Sequence, residues 1–200
     1  MSDLLLHICC APCSVACIRQ LREDGVEPVG FWYNPNIHPF LEYKARRDTL
    51  RQYAQDIGLD LREHDFYGLR QFTAAVAADS DHRCGYCYVC RMEETAKYAA
   101  QHGFARFSTT LLVSPYQNRD LICATGAKMG ERYGAEFVPY DFRPRFQEGQ
   151  EEARALGLYM QKYCGCIYSE EDRFSNRRKK ELHKLHKAKA RQAAEREEDG

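Results

Sequence analysis

A short apolar run that ends in a group of cysteines is the strongest constraint on this chain. Residues 4–8, Leu-Leu-Leu-His-Ile, stop at Cys9-Cys10-Ala11-Pro12-Cys13-Ser14. A helical pattern follows, with Ser14 as its expected N-cap and Gly25 as its stop. The same alternation continues. Residues 27–33 read as a second strand, Pro39 opens an amphipathic helix ending near Gly58, and residues 59–64 read as a third strand. After a polar loop at 79–83, a helix is predicted over 86–102. Strands at 106–112 and 136–140 flank a helix ending near Gly134, and a last helix is predicted over 148–162. Strands alternating with helices of ten or more residues imply a parallel sheet wrapped by helices. No internal repeat interrupts that pattern.

In such folds ligands gather at the carboxyl ends of the strands. The cysteine turn after the first strand, the turn Tyr33-Asn34-Pro35-Asn36-Ile37-His38 and the stretch 109–117 all fall there. Three chemically distinctive segments at one rim predict one site. The 200 residues suffice for a single α/β domain, read as 1–172, followed by a charged tail over 173–200. The tail has ten Lys/Arg against five Asp/Glu, within a chain of zero net charge. It reads as a solvated helix, with a phosphate-binding arm as the alternative.

The cysteines need a compartment before they can be interpreted. No apolar run approaches the roughly 18 residues that cross a bilayer, and the N-terminus carries no basic leader, so a cytoplasmic protein with no membrane partner is expected. There thiols stay reduced, and clustered cysteines point to metal or redox chemistry rather than to a disulfide scaffold. The ten cysteines fall into groups: Cys9, Cys10, Cys13 and Cys17; Cys84, Cys87 and Cys90; Cys164 and Cys166. Cys123 stands alone and reads as a small buried hydrophobe.

Cys84-Gly85-Tyr86-Cys87 offers two thiolates one helical turn apart, and Cys9-Cys10 offers two where a strand ends. Four thiolates suit a [4Fe–4S] cluster and equally suit structural zinc, and spacing leaves the two readings level. Cys10-Ala11-Pro12-Cys13 at a helix start also has the form of a thioredoxin-type dithiol. Cys17 shares a helix face with Cys13 and reads as core, while Cys90 has the spacing of a further ligand. Cys164-Gly165-Cys166 would close a strained, easily reduced bridge, which suits a redox-active pair. Neither a Ser/His/Asp order nor a glycine-rich phosphate loop is present, which disfavours acyl transfer and nucleotide cofactors.

Taken in order, His7-x-Cys9-Cys10-Ala-Pro-Cys13-Ser14, Tyr33-Asn34-Pro35-Asn36-Ile37-His38-Pro39 with Glu42-Tyr43, and Arg83-Cys84-x-x-Cys87-Tyr88-x-x-Arg91 form half of a signature. Thr109-Thr110-Leu-Leu-x-Ser114-Pro115-Tyr116-Gln117, Asp141-Phe142-Arg143 and Gln161-x-Tyr163-Cys164-Gly165-Cys166 complete it. The set resembles the cobalamin-independent epoxyqueuosine reductases, the QueH family, from residue 7 to about residue 173. The resemblance implies a Rossmann-like fold related to nucleotide α-hydrolases. It also implies reduction of the epoxide of epoxyqueuosine, at the wobble position of tRNA, to queuosine. It implies a [4Fe–4S] cluster on Cys9, Cys10, Cys84 and Cys87, and a redox-active pair at Cys164 and Cys166. Cys90 stands where the family pattern asks for no cysteine. Zinc has no redox chemistry to offer such a reaction, so the resemblance favours iron.

On that reading tRNA presents a splayed base, and an electron donor restores the enzyme. Cys13 is a candidate auxiliary, as ligand of an additional mononuclear iron or as an electron relay. His38, Tyr116 and Asp120 are candidate acids. Asn34, Asn36, Gln117 and Arg143 are candidates for holding the base or its phosphates. The competing readings are a non-catalytic zinc-binding RNA module and a thiol–disulfide oxidoreductase built on Cys10 and Cys13.

Overall fold

The computed structural model describes residues 3–175 and 180. Its centre is strand β1 (Leu4–His7), whose four residues are all fully buried. An apolar run covered on both faces belongs in the middle of a parallel sheet. β1 pairs in parallel with β2 (Val29–Trp32) on one side and with β4 (Arg106–Thr109) on the other. β3 (Leu61–Glu63) and β5 (Glu136–Phe137) complete a five-stranded parallel sheet in the order β3-β2-β1-β4-β5. The expected α/β class is therefore the observed one.

The helices are α1 (Ala11–Glu23), α2 (Phe40–Asp56), α3 (Leu69–Val76), α4 (Arg83–Gln101), α5 (Arg119–Tyr133) and α6 (Phe146–Ala155). α1 packs on α2 and α6, and α4 packs on α5, giving one layer on each side of the sheet. Gly126 lets α5 close on β5, because a Cβ there would lie 2.5 Å from the Phe137 ring. The chain runs outward from β1 to β3, then returns to the opposite side of β1 at β4. The crevice at the carboxyl ends of β1 and β4 is thus the topological switch point, where open α/β sheets bind ligands.

Several boundaries differ from the sequence reading. Cys10, not Ser14, is the N-cap of α1, and the Ser14 hydroxyl donates to Ala11 O at 2.8 Å inside the first turn. Strand β4 stops at Thr109, whose Oγ1 accepts from Leu111 N at 3.1 Å and turns residues Thr110–Val113 into a 3-10 turn. α4 begins at Arg83, so Cys84, Cys87 and Cys90 all lie on helix. α3 has no counterpart in the strand–helix pattern of the sequence. The last predicted helix ends at Ala155, and Gly157, with φ +68°, sends residues 159–166 across the rim as a strap. The tail expected over 173–200 lies outside the described residues, apart from 173–175 and 180. Among the described residues no helix is long and apolar enough to cross a membrane.

Candidate metal centre and active site

Backbone direction at the end of β1 decides which sulfurs meet. Cys10 is extended, with φ −173°, and Ala11 already begins α1, so the chain turns sharply over Cys9–Cys13. The Sγ atoms of Cys9, Cys10 and Cys13 all lie within 4.8 Å of one another, and all three residues are buried. Cys9 and Cys10 are 3.8 Å apart at sulfur. The 3-10 turn after β4 closes over this group: Thr110 Oγ1 accepts from Cys9 N at 3.2 Å and donates to Cys9 Sγ at 3.5 Å. From the strap, Gln161 Nε2 reaches Cys13 Sγ at 3.5 Å. Cys17 is fully buried and donates to Cys13 O, in keeping with its reading as core.

Shared protons set the polarity of the trio. Hydrogen bonds from Cys10 and Cys13 hold the Cys9 thiol well below its ordinary range against its burial, with Arg91 assisting. Cys10 moves up despite its bond with Cys13, because Cys9 and burial outweigh it, and Cys13 is pushed up by Cys10, Cys9 and burial. His7, beneath the group, is neutral, with burial first among the causes that lower its pKa to about 4.

The second sulfur group sits on α4. Cys87 is buried and its thiol is pushed up to about 12 by burial. Cys84 is exposed, and Cys90 lies half-buried with Sγ 3.9 Å from the Tyr33 hydroxyl. Asn36 links this group to a buried cation: its Nδ2 donates to Cys87 Sγ at 2.9 Å and its Oδ1 accepts from Arg91 Nε at 2.8 Å. Arg91 is 2% exposed and has no carboxylate partner among the described residues. It reaches the Cys87 group through Asn36 and lines the same cavity as Cys9, Cys13 and Cys164, which places it between the sulfur groups.

These contacts show where the fold places the other candidate residues. Asn36 is engaged by Arg91 and Cys87, and Asn34 is fully buried with Nδ2 donating to Ile8 O at 2.9 Å and Oδ1 without a partner among the described residues. His38 is also fully buried; its Nε2 donates to Pro35 O at 3.2 Å and its Nδ1 accepts from Ile167 N at 3.3 Å. Burial lowers its pKa to about 4, and both ring nitrogens are taken up by backbone contacts. Arg143 is exposed and paired with Asp141, and Asp120 is exposed on the first turn of α5; neither lines the cavity.

A cavity of about 1310 Å³ opens over the switch point, and its wall includes Cys9, Cys13, Arg91, Tyr116, Gln117 and Cys164. Gln117 accepts from the Tyr88 hydroxyl at 2.6 Å and offers Nε2 to Cys164 Sγ at 3.4 Å. Cys164 is exposed to this space, whereas Cys166 is buried against Phe72 and Val76. Tyr116 is the one candidate acid on the cavity wall. Arg91, Thr110 and Gln161 took no role in the sequence reading. All three stood within its motifs, but only burial and partners mark them out.

The donor chemistry fits a sulfur-ligated metal group. Three buried sulfurs come from one turn, and two more stand on a helix across a lone guanidinium, with no competing carboxylate in either set.

The family model described as epoxyqueuosine reductase QueH matches residues 4–172. An epoxyqueuosine reductase QueH of Dehalococcoides mccartyi is 38% identical over 172 residues, covering 86% of this chain and 94% of that protein. One of Thermotoga maritima is 36% identical over 178 residues, covering 84% and 91%. Among solved structures, the U34-tRNA thiolase NcsA of Methanococcus maripaludis, determined with its [4Fe–4S] cluster, superposes with a TM-score of 0.54 at 14% identity. That match covers 84% of this chain and 62% of the thiolase, and it supports the nucleotide α-hydrolase-like fold alone. With the motifs in order, the sulfur-lined switch point and a family match over nearly the whole described chain, the protein belongs to the QueH epoxyqueuosine reductase family.

Proposed function

We propose that this chain reduces the epoxide of epoxyqueuosine in tRNA to the alkene of queuosine, at the cavity above the switch point. The observation that carries the reading is the sulfur-lined rim within a chain that matches the family from residue 4 to residue 172. Opening an epoxide to an alkene and water consumes two electrons and two protons. Two thiols closing to a disulfide release that same complement, and Cys164 and Cys166 are assigned this part. A separate electron donor returns them to the dithiol.

Cys9, Cys10, Cys84 and Cys87 are assigned as holders of a [4Fe–4S] cluster, with Cys13 in competition for a place because its sulfur stands in the same group as Cys9 and Cys10. When bound, such a cluster supplies one-electron steps and a Lewis-acidic iron. Because Cys13 shares that group, no second donor set stands among the described residues for an additional mononuclear iron, and none is included. Arg91 supplies positive charge beside the sulfurs and keeps its proton, since a guanidinium does not ionise in this range. Gln117 orients Cys164, and Tyr116 is the cavity-wall hydroxyl that would relay a thiol proton to the departing oxygen. The base enters splayed from its strand, as RNA-modifying sites require.

Anaerobic reconstitution followed by incubation with tRNA bearing epoxyqueuosine tests the proposal. Iron and sulfide should be incorporated together, and nucleoside mass spectrometry should show queuosine. Cys9→Ala and Cys87→Ala should each lose iron, and Cys166→Ala should keep iron while losing turnover. Stoichiometric zinc without sulfide, in a protein that leaves the epoxide intact, would replace this reading with a zinc-binding RNA module.

A further inference from the structure

The strap that carries Cys164 and Cys166 rests on one buried ion pair. Arg46 on α2 is 2% exposed, and its Nε meets Glu42 Oε1 at 2.6 Å, one turn earlier on the same helix. Its terminal nitrogens donate to consecutive carbonyls of the strap: Nη1 to Cys164 O and Nη2 to Tyr163 O, each at 2.9 Å. The second Glu42 oxygen accepts from the Tyr159 hydroxyl, so the pair touches the strap at residues 159, 163 and 164. Burying two charges is costly, and such a pair is weak evidence for a stabilising role. A planar fork aimed at two successive carbonyls is better suited to fixing a position.

Past Cys164 the fastening changes hands. Gly165 O accepts from His38 N at 2.8 Å, and Gly165 has φ +149°. A Cβ at Gly165 would lie 3.3 Å from both Arg46 Nη1 and Ile37 Cγ1, so the turn is pressed against the clamp. Here the two thiols diverge. Cys164 faces the cavity beside Gln117, while Cys166 packs on Phe72 and Val76 and its Sγ accepts from Ser169 N at 3.4 Å. The observed conformer is an open dithiol, and closing the bridge requires one cysteine to leave its place.

We propose that Arg46, set by Glu42, is a positioning residue that holds the Cys164 backbone at the cavity wall in the dithiol form, so that closing the disulfide requires Cys164 to leave the clamp. The inference rests on the reading that Cys164 and Cys166 carry the reducing equivalents. Closure forms one S–S bond from two S–H bonds and releases two electrons and two protons. The epoxide takes up both and is converted to alkene and water. Because the clamp restrains the dithiol form, loosening it shifts the equilibrium toward the disulfide.

The test uses the full chain, loaded with its metal and equilibrated anaerobically in glutathione buffers of stepped reduced-to-oxidised ratio. Alkylation and peptide mass spectrometry read the fraction of Cys164–Cys166 disulfide. Glu42→Gln combined with Arg46→Gln removes both buried charges, so no lone ion is left in the core. This variant should favour the disulfide by about tenfold, the equivalent of one hydrogen bond to a charged group, with iron and sulfide unchanged. Arg46→Lys keeps the charge without the fork and should fall between the two. A double variant with the wild-type equilibrium overturns the positioning role and leaves the redox pair standing. If the double variant loses iron, a wild-type equilibrium in Arg46→Lys overturns it instead. Absence of the disulfide from the wild-type protein across the whole range overturns the redox-pair reading, and this inference with it.

Discussion

Asn36 is the smallest change that separates the sulfur site from its buried cation. Its side chain accepts from Arg91 Nε at 2.8 Å and donates to Cys87 Sγ at 2.9 Å, and the residue is only 4% exposed. Asn36→Ala removes one bond to a charged donor, a loss of roughly 1.5–3 kcal/mol, and leaves a buried guanidinium nitrogen without a partner. With the weaker contact to sulfur included, a total of about 2–4 kcal/mol is expected, a large share of the 5–15 kcal/mol typical of a domain. For a chain of this size that corresponds to a fall in Tm of roughly 4–16 °C. Asn36→Asp keeps the acceptor and adds a charge opposite Arg91, so it should lose less than half as much. Reversible urea unfolding of the reduced, metal-free chain, followed by circular dichroism, measures both. Equal stability of wild type and Asn36→Ala would refute the reasoning, because it would mean that Arg91 does not depend on that bond.

Asn118 caps α5 through Oδ1 to Leu121 N at 3.0 Å, so Asn118→Ala should cost about 1 kcal/mol in the same assay with no change in iron content. His38 is neutral in the fold, with its pKa lowered to about 4, whereas an unfolded histidine titrates near 6.5. The unfolded state therefore binds the extra proton first, and the stability due to His38 is lost as the pH falls from about 6.5 toward 4. Urea midpoints between pH 7.5 and 4.5 should show that decline, and it should be flatter in His38→Asn. Gly165→Ala forces a side chain onto Arg46 and Ile37 at a positive φ. It should lower turnover by about tenfold or more while leaving iron and sulfide in place, the result expected if the strap positions thiols rather than ligands.

Much of the fold was legible because its signals are local. Residues 4–8 are too short and too uniformly apolar to be anything but a covered strand in an alternating pattern. Gly25, Gly58 and Gly134 mark helix ends through positive φ values that few other residues adopt. The shortened last helix was not legible. The apolar periodicity of 148–162 runs straight past Gly157, and the backbone leaves the helix there because the strap finds Arg46 and His38, more than a hundred residues away in sequence.

The amino-acid sequence by itself determined the parallel α/β class, the gathering of three chemically distinctive segments at one rim, and the family, since motif order and strand–helix alternation are properties of the chain read along its length. Only the tertiary structure decided which groups face one another. It set Cys13 beside Cys9 and Cys10, tied Asn36 and His38 into contacts within the protein, left Asp120 and Arg143 away from the cavity, and turned Cys164 and Cys166 in different directions. The physical reason is that a buried polar group takes whatever partner the packing brings within hydrogen-bond reach. That partner is set by how distant elements dock, which spacing along the chain does not encode.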